Sequence, residues 1–203
     1  MQAYSWKLED AQIIANEFPY TFYKPSSEVV SLLKEGNKVK LICEFESDDP
    51  EVPQAERMWV EIKERKKGKY VGVLDNEPAY IKDLNLGDTV EFEERHIVDT
   101  DLDDPIPSIT EKYIKCCFVT NRILYKGEKI GYFYREEPDQ EDDSGWRFMV
   151  GDETDEYMDD SENISYVSIG AVLREDDSVV EFLESPVNTY FERHEKVGII
   201  GLE

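Results

Sequence analysis

The chain has 203 residues, of which 40% are hydrophobic and 12% aromatic, and its formal net charge is −24 at pH 7. The apolar content argues against a disordered chain, and the negative charge disfavours binding to nucleic acid and to anionic membranes because phosphate groups repel it. A chain of this length can form one large domain or two small ones, each with its own core.

The first half of the chain predicts one short helix followed by about four strands. Residues 26–36 begin with serines that can cap a helix and end at a glycine. Period-two alternation of apolar residues then predicts strands over residues 38–46, 57–64, 69–74 and 89–94. The loop between the second and third strands contains Gly68, which is typical of a β-hairpin. We therefore expect a twisted antiparallel sheet or a small barrel.

A segment rich in proline and aspartate, residues 99–111, separates the two halves. It is stiff and offers little to bury, so we place a domain boundary near residue 105. The sequence thus predicts an α+β protein of two small domains, residues 1–104 and 105–203. Each is expected to be a mostly antiparallel sheet or partial barrel with one or two short helices.

The second half begins with two extended runs, residues 115–124 and 129–135, which a glycine-containing loop separates. This arrangement predicts a second hairpin. Residues 146–150 form an apolar run between two acidic segments and predict another strand. A short helix is expected to begin near residue 177 and to end before Pro186.

Catalytic signatures are absent from the sequence, which has no GxSxG, HExxH, Walker-type or GxGxxG motif. It has two histidines and three cysteines, and no CxxC spacing, so a zinc site has few ligands to draw on. We predict no catalytic residue, no metal site and no cofactor. Reduced thiols, an N-terminus unlike a signal peptide and no run of membrane-spanning length together predict a cytoplasmic location.

The most informative stretch is residues 136–162, which carries thirteen acidic residues and one basic residue, Arg147. A calcium-binding loop fits it poorly, because Gly145 follows Asp139, Glu141 and Asp143 one position too late. Arg147 is interpreted as an internal ion-pair partner. The aromatic side chains of the stretch either belong to a core or form part of a binding surface ringed by charge.

We assign partner binding to eleven residues of this stretch, on the hypothesis that its acidic loops dock against a cationic surface with Trp146 or Tyr157 as an anchor. They are Glu136, Glu137, Asp142, Asp143, Trp146, Asp152, Asp155, Glu156, Tyr157, Asp159 and Asp160.

Several short motifs of the second half resemble the immunity-protein-33 family, from about residue 115 to the C-terminus. They are Tyr-Arg-Glu-Glu-Pro at 134–138, Asp-Ser-Gly-Trp-Arg-Phe at 143–148, Gly-Asp-Glu at 151–153 and Ser-Pro at 185–186. The first half resembles a second small family of unknown function, domain of unknown function 2314. That likeness lies in Met-Trp-Val at 58–60, the turn at 72–78 and the strand at 86–92.

The first resemblance implies a role in immunity to a bacterial toxin, and it implies no catalytic residues. Together with the charge, it predicts a non-enzymatic binding protein that neutralises a basic protein toxin by stoichiometric binding, since an acidic surface speeds encounter with a basic partner. Two alternatives stay open: a general interaction or ligand-binding module that has no toxin, and a carboxylate- or metal-dependent hydrolase.

Overall fold

The computed structural model describes residues 5–202, so the outermost residues of both predicted domains lie outside the described part. The chain divides into two compact units, Met1–Ser108 and Ile109–Glu203. Each unit combines a six-stranded sheet with short helices. The prediction of an α+β fold is confirmed. Across residues 5–202, no helix is both long and apolar enough to cross a membrane.

The sheet of the N-terminal unit is antiparallel throughout, in the order β1-β2-β3-β4-β5, and β6 also pairs with β2. Its strands are β1 (Trp6–Leu8), β2 (Lys38–Phe45), β3 (Ala55–Lys66), β4 (Lys69–Leu74), β5 (Thr89–Glu93) and β6 (Ile97–Thr100), and its α-helices are α1 (Ala11–Glu17) and α2 (Ser27–Leu32).

The four predicted strands and the predicted helix of this unit are confirmed, as β2 to β5 and α2. The Ser26 side chain caps α2 by accepting a hydrogen bond from the Val29 amide. The hairpin between β3 and β4 turns through Lys67 and Gly68, whose φ values are 51° and 79°. Positive φ at both positions characterises the type I′ turn, whose twist matches that of the flanking strands.

Helix α1 and the short strands β1 and β6 were not predicted. α1 buries only Ala11 among its seven residues, so it gives almost no amphipathic signal. It begins because the Asp10 carboxylate accepts hydrogen bonds from the amides of Gln12 and Ile13. β1 has three residues and β6 four, which is too short for alternation to stand out.

The sheet of the C-terminal unit has the strand order β10-β7-β9-β8-β11-β12, with β7 and β9 parallel and every other pair antiparallel. Its strands are β7 (Cys116–Thr120), β8 (Tyr132–Arg135), β9 (Asp143–Met149), β10 (Ile164–Ser168), β11 (Thr189–His194) and β12 (Gly198–Leu202). Its α-helices are α3 (Ile109–Lys112), α4 (Asn121–Lys126), α5 (Asp155–Asp159) and α6 (Ile169–Glu175).

The predicted hairpin of residues 115–124 and 129–135 is wrong. The first run changes from strand to helix at Asn121, and β7 pairs with β9 and β10 instead of β8. Gly127, which the prediction placed in a hairpin loop, ends α4 with φ 67°, a left-handed conformation that glycine adopts without steric penalty. The predicted strand at 146–150 is confirmed within β9.

The predicted helix near residue 177 is present as a 3-10 helix, Asp177–Phe182, and α6 just before it was missed. These two elements cover one face of the C-terminal sheet. Phe133 lies at the centre of that covered face, with its ring centroid 4.9 Å from Phe191 and 5.8 Å from Trp146. Trp146 and Phe148 are both buried there, so the core interpretation of these two side chains is confirmed.

Candidate functional site

The other face of the C-terminal sheet carries an aligned set of large side chains. In a sheet, residues paired across neighbouring strands point to the same face. Strand pairing therefore places one residue from each of the six strands on a single line, which we call the cross-strand row. From one sheet edge to the other, the row consists of Tyr166, Phe118, Arg147, Tyr134, Tyr190 and Leu202.

The cross-strand row is mostly aromatic and partly open to solvent, where an antiparallel sheet commonly carries polar residues. Phe118 is 37% exposed, Tyr190 40% and Leu202 39%. Neighbouring rings contact each other along the row, at 4.8 Å between the centroids of Phe118 and Tyr166 and 5.7 Å between those of Tyr134 and Tyr190. Aromatic surface of this kind is enriched at protein interfaces.

Arg147 is the one charged residue of the row, and it is held by carboxylates. Its guanidinium donates to Asp143 at 3.0 and 2.9 Å and to Glu136 at 2.5 Å, and Asp139 lies 3.5 Å away. The guanidinium carbon lies 4.7 Å from the ring centroid of Phe118, which is a cation–π contact. The interpretation of Arg147 as an internal ion-pair partner is confirmed.

The carboxylate of Asp143 is completely buried. Burial by itself would raise the pKa of Asp143. The hydrogen bonds from Arg147 and from the backbone amides of Asp139 and Gly145 outweigh it and lower that pKa to about 2. The pair therefore stays charged at every physiological pH, and it fixes the loop between β8 and β9 to the sheet.

A cleft of about 260 Å³ opens beside Arg147. Phe118, Tyr134 and Met149 form part of its apolar lining. Glu136 and Asp139 line it from the first acidic segment (residues 136–143), and Met158 lines it from α5 in the second acidic segment (residues 152–160). The fold thus brings both predicted acidic segments to one cleft on the open face.

Most of the eleven predicted binding residues are accessible. Glu136 and Tyr157 are half-buried, and the Tyr157 hydroxyl donates to the Asn163 carbonyl oxygen at 3.3 Å. Asp152 is exposed and pairs with Arg122 at 2.6 Å. The other exposed members are Glu137, Asp142, Asp155, Glu156, Asp159 and Asp160.

Asp143 and Trp146 do not fit the surface assignment. Asp143 is buried in its ion pair with Arg147. Trp146 lies in the core on the opposite side of β9, where its Nε1 donates to the Leu183 carbonyl oxygen at 3.4 Å. Neither side chain is accessible to a partner, so the placement of both on a docking surface was wrong. The binding role of the nine accessible residues stays a prediction.

The row itself was missed by the sequence reasoning, although a signal was present. Residues 132–134 read Tyr-Phe-Tyr, with no polar position between the aromatic ones. A strand with one solvated face alternates apolar and polar residues, so an unbroken aromatic run indicates two apolar faces. The partners of Tyr134 in the row come from distant parts of the chain, and only the strand order aligns them.

Residues of the sequence block at 143–148 have structural roles, as their hydrogen bonds and backbone contacts show. The Ser144 hydroxyl donates to the Cys116 carbonyl oxygen at 2.7 Å and ties β9 to β7. Gly145 has φ 81°, and a Cβ atom at this position would collide with the Glu136 carbonyl oxygen. Asp143 and Arg147 form the buried ion pair described above, and Trp146 lies in the core. The block therefore stabilises the fold of the C-terminal unit.

Metal ligation has no support among residues 5–202, where no group of three or more histidine, cysteine, aspartate or glutamate side chains is placed to hold an ion. Cys43, Cys116 and Cys117 are free thiols. Burial raises the pKa of Cys43 to about 12, and burial likewise raises the pKa of Cys117, so these two thiols stay protonated.

Both halves of the chain match a family model. Residues 2–103 match the family described as uncharacterized protein conserved in bacteria (DUF2314), and residues 117–202 match the immunity protein Imm33 domain. The two resemblances predicted from the sequence are thereby confirmed. No curated protein matches the chain significantly, and no solved structure does.

Proposed function

Because this chain belongs to the bacterial family described as uncharacterized protein conserved in bacteria (DUF2314), and because its C-terminal unit matches an immunity-protein domain, we propose that it neutralises a basic protein toxin by stoichiometric binding. The match over residues 117–202 is the observation that carries this proposal. The proposal places the binding function in the C-terminal unit and requires no catalysis by the chain.

The electrostatics of the C-terminal unit support a basic partner. Residues 101–203 carry 26 of the 47 acidic residues of the chain and 10 of its 23 basic residues. The two acidic segments are largely exposed and border the cleft on the open face. Charges arranged in this way accelerate the encounter with a cationic surface, typically by more than tenfold at low salt, and disfavour acidic competitors.

The first experiment is growth rescue. Each open reading frame beside the gene is expressed in a laboratory bacterial host, with and without this chain. We expect one product to arrest growth, the chain to restore growth, and the purified pair to form a 1:1 complex in calorimetry. If no neighbouring product is both toxic and neutralised by the chain, the immunity proposal fails and a general interaction module becomes the better description.

The second experiment tests the surface with a charge reversal. The triple variant Asp142→Lys, Glu156→Lys and Asp159→Lys should lower the association rate with the toxin by about tenfold at low salt, with a smaller loss at high salt. The matched control reverses three exposed acidic residues of the N-terminal unit, namely Glu17, Glu35 and Glu77, and changes the net charge equally. Equal losses in the two variants would show that net charge acts without this surface.

A further inference from the structure

We propose that the open face binds a basic segment of the partner and that the cleft beside Arg147 receives a single arginine side chain from it. This inference rests on the proposed function and goes further, because it names the group that enters the site. The arginine would lie on the aromatic side chains of the cross-strand row, with its guanidinium between Glu136 and Asp139.

The size of the cleft favours one side chain over a small-molecule ligand. Pockets for small molecules and cofactors usually enclose roughly 300–1,000 Å³ and bury most of the ligand. The cleft has a volume of about 260 Å³ and is open to solvent on the sheet face. This volume lies below the usual range for small-molecule pockets and suits one long side chain.

The charges around the cleft leave negative potential for a second cation. Arg147 supplies one positive charge, and Asp143, Glu136 and Asp139 surround it with three negative ones. The side chain of Glu136 is 45% exposed and that of Asp139 is 77% exposed. Arg147 approaches one oxygen of each, Glu136 Oε1 and Asp139 Oδ2. The other carboxylate oxygens can accept hydrogen bonds from an incoming donor.

The lining of the cleft selects arginine over lysine. A guanidinium is planar and weakly hydrated, so it stacks on aromatic rings and forks between two carboxylates, whereas an ammonium group does neither as well. Arg147 already shows this mode of binding, with its guanidinium over Phe118 and its donors on carboxylates. The aliphatic part of an inserted arginine would contact Met149 and Met158, which also line the cleft.

Methionine methyl groups provide a direct test on the full chain. The sequence has four methionines. Met149 and Met158 line the cleft, whereas Met58 is buried in the core of the N-terminal unit. With ¹³C-methyl methionine, titration with N-acetyl-L-arginine amide should shift the Met149 and Met158 signals along saturable curves and leave Met58 unchanged. N-acetyl-citrulline amide has the same shape without the charge and should produce no saturable shift.

The lysine analogue and one pair of variants sharpen the test. N-acetyl-L-lysine amide should bind at least about threefold more weakly than the arginine probe. Asp139→Asn should weaken the arginine probe by about threefold or more, and Glu181→Gln, at an exposed acid of the C-terminal unit outside both acidic segments, should leave it within twofold. An unchanged Met58 signal confirms that each variant is folded in the N-terminal unit, and amide spectra confirm the fold of the C-terminal unit.

The proposal is overturned if citrulline shifts the cleft signals as much as arginine does, if Met58 responds equally, or if Asp139→Asn has no effect. These results are independent of growth rescue. A chain that rescues growth but ignores the arginine probe contradicts this inference and leaves the immunity proposal standing. A chain that binds the probe in the cleft but neutralises no neighbouring toxin contradicts the immunity proposal alone.

Discussion

Replacing Asp143 by asparagine should destabilise the C-terminal unit by about 2–4 kcal/mol. The substitution keeps the shape of the side chain and removes the charge that faces Arg147. The pKa of Asp143 is about 2, against an ordinary value of 3.8. Each unit of pKa corresponds to ~1.4 kcal/mol, so the net preference of this site for the ionised form amounts to about 2 kcal/mol. The substitution also leaves the buried guanidinium of Arg147 without its charged partner, which raises the loss of stability towards the upper end of the expected range.

The same pair predicts how stability depends on pH. The pKa of Asp143 is lower in the folded chain than in the unfolded chain, so the unfolded chain takes up the proton first as pH falls. The contribution of Asp143 is therefore complete above about pH 4 and is lost as pH falls through about 2. The Asp143→Asn variant should lack this part of the acid sensitivity.

The assay is urea unfolding followed by tryptophan fluorescence. The chain has three tryptophans, so a background of Trp6→Phe and Trp59→Phe leaves Trp146, next to the substituted region, as the only reporter. Asp142→Asn is the matched control, because it is the neighbouring acid and is exposed. If Asp143→Asn and Asp142→Asn unfold within about 0.5 kcal/mol of each other, the argument for a buried, stabilising ion pair is refuted.

Three further experiments test the fold. Phe133→Ala, in the covered core, should lower the free energy of unfolding by about 3–5 kcal/mol, whereas Tyr190→Ala, on the open face, should lower it by under about 1 kcal/mol. Comparable urea midpoints for the two variants would contradict the assignment of the two faces. The Glu56 carboxylate accepts hydrogen bonds from three consecutive backbone amides. Glu56→Gln should lower the free energy of unfolding by about 1.5–3 kcal/mol and speed hydrogen exchange at these amides. Unchanged exchange would count against this role of Glu56. Gly145→Ala should lower the thermal midpoint far more than Gly127→Ala. Both positions have positive φ, but a Cβ atom collides with the backbone only at Gly145. Similar midpoints for the two variants would argue against this collision.

Most of the N-terminal unit could be predicted from the sequence because its signals are local. Strands β2 to β5 alternate at period two, and a two-residue turn joins β3 to β4. The elements that escaped prediction are stabilised by other parts of the chain. Strand β1, for example, pairs with residues more than thirty positions further along, at Cys43 to Phe45.

The C-terminal unit was harder to predict because its strand order is not the chain order. The parallel pairing of β7 with β9 brings Phe118 next to Arg147, and the order of β8 and β11 brings Tyr134 next to Tyr190. No local pattern encodes these neighbours. The acidic segments were visible from composition, but composition cannot distinguish the buried carboxylate of Asp143 from the exposed one of Asp142.

The buried block at residues 143–148 serves the fold of the C-terminal unit. Its side chains pack in the core or hold the neighbouring strands and the loop between β8 and β9 in place. Phe118, Tyr190 and Leu202 lie outside the block and face solvent. Under the proposed function, exchanging these three side chains should therefore change which partner is recognised while the domain beneath them stays intact.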